Sequence, residues 1–148
     1  MKVIWSILCQ SSAVDRDTNS LSLFNIIEEV TFPAQPPQIQ PEQPLPERIM
    51  LANFELVTLW MRSNLEVPER GRGRLRIVLT EGQEVTFQEF EVDLTQYLRF
   101  RTRVRLPGFP TGGPGIYRFI VDRKTDASEW TEMFELPIRV VLQPQDSG

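Results

Sequence analysis

The sequence predicts an all-β domain, a two-layer antiparallel sandwich of about eight or nine strands. Three observations carry that expectation. Short apolar or alternating segments recur along the whole chain, Gly- and Pro-rich turns separate them, and no stretch of normal helical length shows the apolar spacing of an amphipathic helix.

The elements follow in order. Val3 to Cys9 is short, apolar and rich in β-branched residues, which predicts a first strand buried on both faces. Asp15-Arg16-Asp17-Thr18-Asn19 is a run of turn formers, and Leu21, Leu23, Ile26, Val30 and Phe32 carry a second extended segment whose phase change predicts a bulge near Phe24 and Asn25. From Pro33 to Pro46, prolines alternate with Gln and Glu; they cannot donate ladder hydrogen bonds, so residues 33–47 form a loop.

Ile49 to Arg62 has apolar residues on both alternations, including Trp60, and reads as a central strand. Leu75, Ile77 and Leu79 alternate with arginines, and Phe90, Val92 and Leu94 alternate with Glu89, Glu91 and Asp93 after a turn at Glu81-Gly82-Gln83. The clearest strand follows: Leu98, Phe100, Thr102, Val104 and Leu106 point inward, and Arg99, Arg101, Arg103 and Arg105 outward. Breaks at Pro107-Gly108 and at Thr111 to Gly115 precede two last strands, Ile116 to Asp122 and Glu132 to Leu142, and residues 143–148 read as a flexible tail. Residues 1–148 constitute one domain on grounds of length. Trp5, Trp60, Leu98, Phe100, Val104, Tyr117 and Phe119 are its expected common core.

From Leu98 to Val121, an alternating strand leads through a Gly/Pro corner to Gly115-Ile116-Tyr117-Arg118-Phe119, and this segment resembles the E and F strands of an immunoglobulin-like domain. The resemblance implies that Tyr117 folds back to hydrogen-bond the preceding corner. The paired cysteines of antibody domains are missing, with Phe119 standing where one would be. The chain as a whole also resembles small bacterial β proteins that open on a Trp-containing strand and an Asp-rich hairpin and close on this Gly-x-Tyr-x-Phe pattern. That likeness implies a fold and no activity.

The composition restricts the chemistry. The chain has no histidine, which removes the commonest general base and zinc ligand, so neither a hydrolytic triad nor a zinc site is expected. Cys9 is the one cysteine; it lies on a strand expected to be buried and reads as an inert small hydrophobe. A single cysteine forms no internal disulfide, and with no apolar stretch long enough to span a bilayer the expected setting is cytoplasmic, without membrane association. The Gly-rich corner lacks the Lys-Ser/Thr and the helix of a phosphate loop. No catalytic residue, cofactor or metal is expected. Asp15, Asp17 and Asn19, with Asp122 and Asp126, keep a calcium-dependent module as an alternative, although these are also ordinary turn residues.

The arginines are the unusual feature. Arg70, Arg72, Arg74 and Arg76 alternate, as do Arg99, Arg101, Arg103 and Arg105, so each set projects from one side of its strand. Such rows hold carboxylate or phosphate by bidentate hydrogen bonds. A net charge of -4 argues against nucleic acid, and the acidic row Glu89, Glu91, Asp93, joined by a short connection to the Leu98 strand, is expected to lie beside it and neutralise one flank. The leading expectation is a non-enzymatic interaction module that binds a protein partner or its own copy, with Arg72, Arg74, Arg76, Arg99, Arg101, Arg103 and Arg105 as candidate contact residues. Phosphate or nucleic-acid binding through the same rows is the alternative.

Overall fold

A computed structural model describes residues 1–33, 49–110 and 113–143. The Pro-rich stretch after Pro33 and the tail after Gln143 lie outside them. Among the described residues there are nine strands and no helix: β1 (Lys2–Val14), β2 (Leu21–Ile26), β3 (Glu29–Pro33), β4 (Ile49–Met61), β5 (Glu69–Val78), β6 (Glu84–Leu94), β7 (Arg99–Pro110), β8 (Gly115–Lys124) and β9 (Thr131–Gln143). They form a four-stranded sheet, β2-β1-β4-β7, and a five-stranded sheet, β3-β9-β8-β5-β6. All pairings are antiparallel except β3 with β9. The five-stranded sheet curls into a half-barrel rather than lying as a flat layer.

One apolar cluster draws on both sheets. Leu8, Leu56, Trp60, Val104 and Leu106 come from the first, and Leu75, Ile77, Val92, Leu94, Tyr117, Phe119, Val121 and Ile138 from the second. Register explains the sorting, because cross-strand partners share a face. Leu8, Leu56 and Val104 are mutual partners across β1, β4 and β7, as are Ser6, Thr58 and Thr102. The latter row is a buried polar seam whose hydroxyls find partners: Ser6 Oγ meets Thr58 Oγ1 at 2.8 Å, and Trp60 Nε1 donates to Thr102 Oγ1 at 3.0 Å. Gly73 on β5 lets the sheets approach here, since a Cβ would lie 2.3 Å from Phe90 Cε2 and 2.9 Å from Trp60 Cζ2.

Three expectations need correcting. Leu98 is not in the core: it precedes β7 and is 49% exposed, and its carbonyl accepts the Arg62 N–H. Trp5 is only half-buried and points away from the core, because a register shift between Val3 and Trp5 sets Val3 against Trp60 and Trp5 against Leu59. Phe100 packs on the core only in part. Trp60, Val104, Tyr117 and Phe119 are buried in it.

The β1–β2 region also departs from the sequence reading. β1 continues past Cys9 to Val14, and its register with β2 runs without a shift through Asn25, so there is no bulge. The irregularity is instead a left-handed residue, Asn25, at φ 54°. The tip of the hairpin is an Asx turn, in which the Asp15 carboxylate accepts the N–H groups of Asp17 and Thr18 at 2.9 Å each.

Candidate functional site

The two arginine rows meet different neighbours. β5 is an inner strand flanked by β6 and β8, and both supply carboxylates. Arg70 pairs with Asp93 at 3.2 Å and Arg72 with Glu89 at 2.8 Å. Arg74 and Arg76 converge on Asp122, through bonds of 2.6 and 2.5 Å to Oδ2 and 2.9 Å from Arg76 to Oδ1, and Arg76 also reaches Glu84 at 2.9 Å. Burial opposes ionisation of Asp122, but the two guanidiniums outweigh it and hold the carboxyl below the usual range. Its hydrogen bonds and charge in turn raise Arg76 further above its ordinary value. Arg74 also stacks over Trp130, 4.3 Å from the ring centroid. Of the candidate contact residues, Arg72, Arg74 and Arg76 are therefore occupied within the fold.

β7 lacks such neighbours. The acidic row of β6 pairs with β5 in the other sheet, which corrects the expectation that Glu89, Glu91 and Asp93 flank the Leu98 strand. The chain crosses between sheets at residues 95–98, where buried Arg62 donates to the carbonyls of Leu94, Thr95 and Leu65 at 2.7, 2.9 and 3.0 Å. β7 pairs with β4, and the β4 residues opposite Arg99, Arg101, Arg103 and Arg105 are Met61, Leu59, Val57 and Glu55. That row offers one carboxylate. Glu55 takes Arg105 at 3.3 Å and is also held by the Ser12 hydroxyl.

The remaining arginines touch only neutral oxygens, or none. Arg101 donates to Asn19 O at 2.9 Å and to Asn19 Oδ1 at 2.5 Å, and Arg103 reaches Ser12 Oγ at 3.4 Å. Arg99 has no partner among the described residues. In a flat sheet β2 would sit three spacings of about 4.8 Å from β7. The bonds to Asn19 and Ser12 therefore mean that the β1–β2 hairpin bends over the outer face of β4. This bend explains why Cys9 and Val57, which share a face with the arginines, are fully buried. Burial, then the charge of Glu55, push the Cys9 thiol above its usual value.

Between the bent hairpin and β7 lies a cleft of about 270 Å³ lined by Trp5, Asn19, Leu21, Leu59, Arg99, Phe100 and Arg101. A wider hollow of about 520 Å³ continues it past Val14, Tyr97 and Arg103. Tyr97 stands exposed in its lining, at 65%. The site thus combines guanidiniums lacking carboxylates with the apolar residues Trp5, Leu21 and Leu59. It suits a ligand that carries carboxylates beside apolar groups.

Sequence reasoning found the β7 row but missed Trp5, Leu21, Leu59 and Tyr97 as its companions, since no local pattern announces a hairpin bending over its own sheet. Of the aspartates proposed for calcium, Asp15 caps its turn and Asp122 is held by arginines. Among the described residues no group of three or more His, Cys, Asp or Glu could hold a metal, and no helix is long and apolar enough to cross a membrane. In comparison with known proteins, no family model, curated protein or solved structure matches the chain.

Proposed function

We propose that the chain is a non-enzymatic protein-interaction module, immunoglobulin-like in arrangement, that engages an acidic partner through the outer face of β7. The carrying observation is the contrast between the rows: every β5 arginine has a carboxylate, whereas Arg99, Arg101 and Arg103 have none among the described residues. A partner's carboxylates would form charge-assisted bonds stronger than those to the neutral oxygens of Asn19 and Ser12.

Support for the immunoglobulin-like arrangement is topological and local. β7 and β8 lie in different sheets, as strands E and F do, and the parallel β3–β9 pair extends the second sheet. Tyr117 Oη donates to Gly113 O at 2.8 Å across the intervening corner. The lone buried Cys9 suits a reducing, cytoplasmic setting.

The apolar lining residues favour a polypeptide over a phosphate backbone, while Trp5 and Tyr97 would also suit stacked bases. Anisotropy titrations of labelled poly-glutamate and of a single-stranded oligonucleotide separate the two. Poly-glutamate should bind, more weakly as salt rises, and binding should weaken in Arg99→Glu/Arg103→Glu while the melting temperature holds. Absence of binding, or preference for the oligonucleotide, defeats the proposal.

A further inference from the structure

The contact that β7 offers is set by its position as well as its charge. It ends its sheet, and among the described residues no strand pairs with its outer side. The other ends of the two sheets differ. β2 and β3 are short, at 6 and 5 residues, and β6 carries an acidic row already paired with Arg70 and Arg72. β7 has 12 residues and a cation at every outward position from Arg99 to Arg105.

Resting on the reading of this face as a partner site, we infer that the partner is an extended acidic segment, which adds to β7 as a further strand with Glu or Asp at alternate positions and apolar residues between them. The molecule contains the template for this pairing. Across β5 and β6, alternating arginines face alternating carboxylates in antiparallel register, with Arg70 opposite Asp93 and Arg72 opposite Glu91. The intervening β6 residues Phe90 and Val92 turn to the core. A segment of that alternation beside β7 would set its carboxylates over Arg99, Arg101 and Arg103 and its apolar side chains toward the rim near Phe100. Main-chain hydrogen bonds along the open edge supply affinity, and the charge alternation supplies register.

A second copy of this chain does not meet the requirement. Two β7 edges would set arginine against arginine, which is unfavourable across strands. On a second β6, Asp93 and Glu89 of the matching row are already engaged within their own sheet.

The test uses the full chain and three labelled peptides of one composition: alternating Glu and Val, the same residues in blocks, and the alternating peptide N-methylated at every second amide. The alternating peptide should bind at least about tenfold more tightly than either of the others. Arg99→Glu/Arg103→Glu should reduce that binding about tenfold or more, and hydrogen exchange should slow in 99–106 on binding. Equal binding of all three peptides, abolished by the double substitution, would overturn strand addition and leave the acidic-partner face standing. Binding that depends on free amides but ignores the double substitution would move the added strand to another edge and overturn the inference. Failure of all three to bind, with poly-glutamate also inert, would remove the face itself. A mass that doubles with concentration in the unmodified chain, and does not in the double variant, would give the edge to a second copy and likewise overturn it.

Discussion

Replacing Asp122 with Asn should cost the fold about 3 kcal/mol at neutral pH. The carboxylate is 1% exposed and accepts three bonds from two guanidiniums. Bonds to charged groups contribute roughly 1.5–3 kcal/mol each, and removing one partner of a buried pair costs roughly 3–5 kcal/mol. The low end of that range applies because Arg74 and Arg76 keep 21% and 15% of their side chains in solvent and can rehydrate, and because Arg76 retains Glu84. The pH dependence has a definite sign. The folded carboxyl titrates below its ordinary value, so its stabilisation is fully present above the unfolded pKa, near 3.9, and disappears as pH falls through the lower folded value. Urea unfolding followed by circular dichroism should therefore give a large difference between Asp122→Asn and the parent at pH 7 and a shrinking one below about pH 4. A difference under about 1 kcal/mol, or one unchanged from pH 7 to the acid limb, would refute the argument. The second outcome would assign the loss to packing rather than to charge.

Three other predictions concern the core and corner. Gly73→Ala should lower stability by about 1–3 kcal/mol, read as a fall in urea midpoint, because its methyl would overlap Phe90 and Trp60. Tyr117→Phe should cost about 1 kcal/mol by removing the 2.8 Å bond to Gly113 O, and an unchanged melting curve would contradict that role. Cys9 should react slowly with iodoacetamide in the native chain and rapidly in urea, since the thiol is inaccessible and its pKa raised; equal rates would place it at the surface.

Much of the strand pattern was legible because period two is a local property. β7 keeps its alternation from Phe100 to Leu106, and the Asp15 turn and the Tyr117 corner rest on residues within five positions of one another. Failures arose wherever the answer depended on a distant strand. β6 precedes β7 in sequence, and its acidic row is as complementary to the arginines of β5 as to those of β7, so alternation alone could not choose between them. The crossing at residues 95–98, pinned by Arg62, makes that choice. Trp5 was misplaced by the register shift after Val3, which turns the next side chains over without any change in composition.

The two arginine rows then become one physical contrast. A guanidinium on an inner strand has neighbours on both sides, and β6 and β8 supply the β5 row with Asp93, Glu89, Glu84 and Asp122. A guanidinium on an end strand has one neighbour, and β4 offers β7 mainly Met61, Leu59 and Val57. These aliphatic groups cannot neutralise charge, but they lower the local dielectric beside it, which strengthens any later contact with a carboxylate. The same row discourages two β7 edges from pairing, because like charges would oppose each other along the contact. Repulsion of its own kind and the proposed attraction of an acidic strand are thus two consequences of one arrangement. Neutralising substitutions in the row should weaken acidic-peptide binding and increase self-association together, whereas charge reversal should weaken binding without that gain.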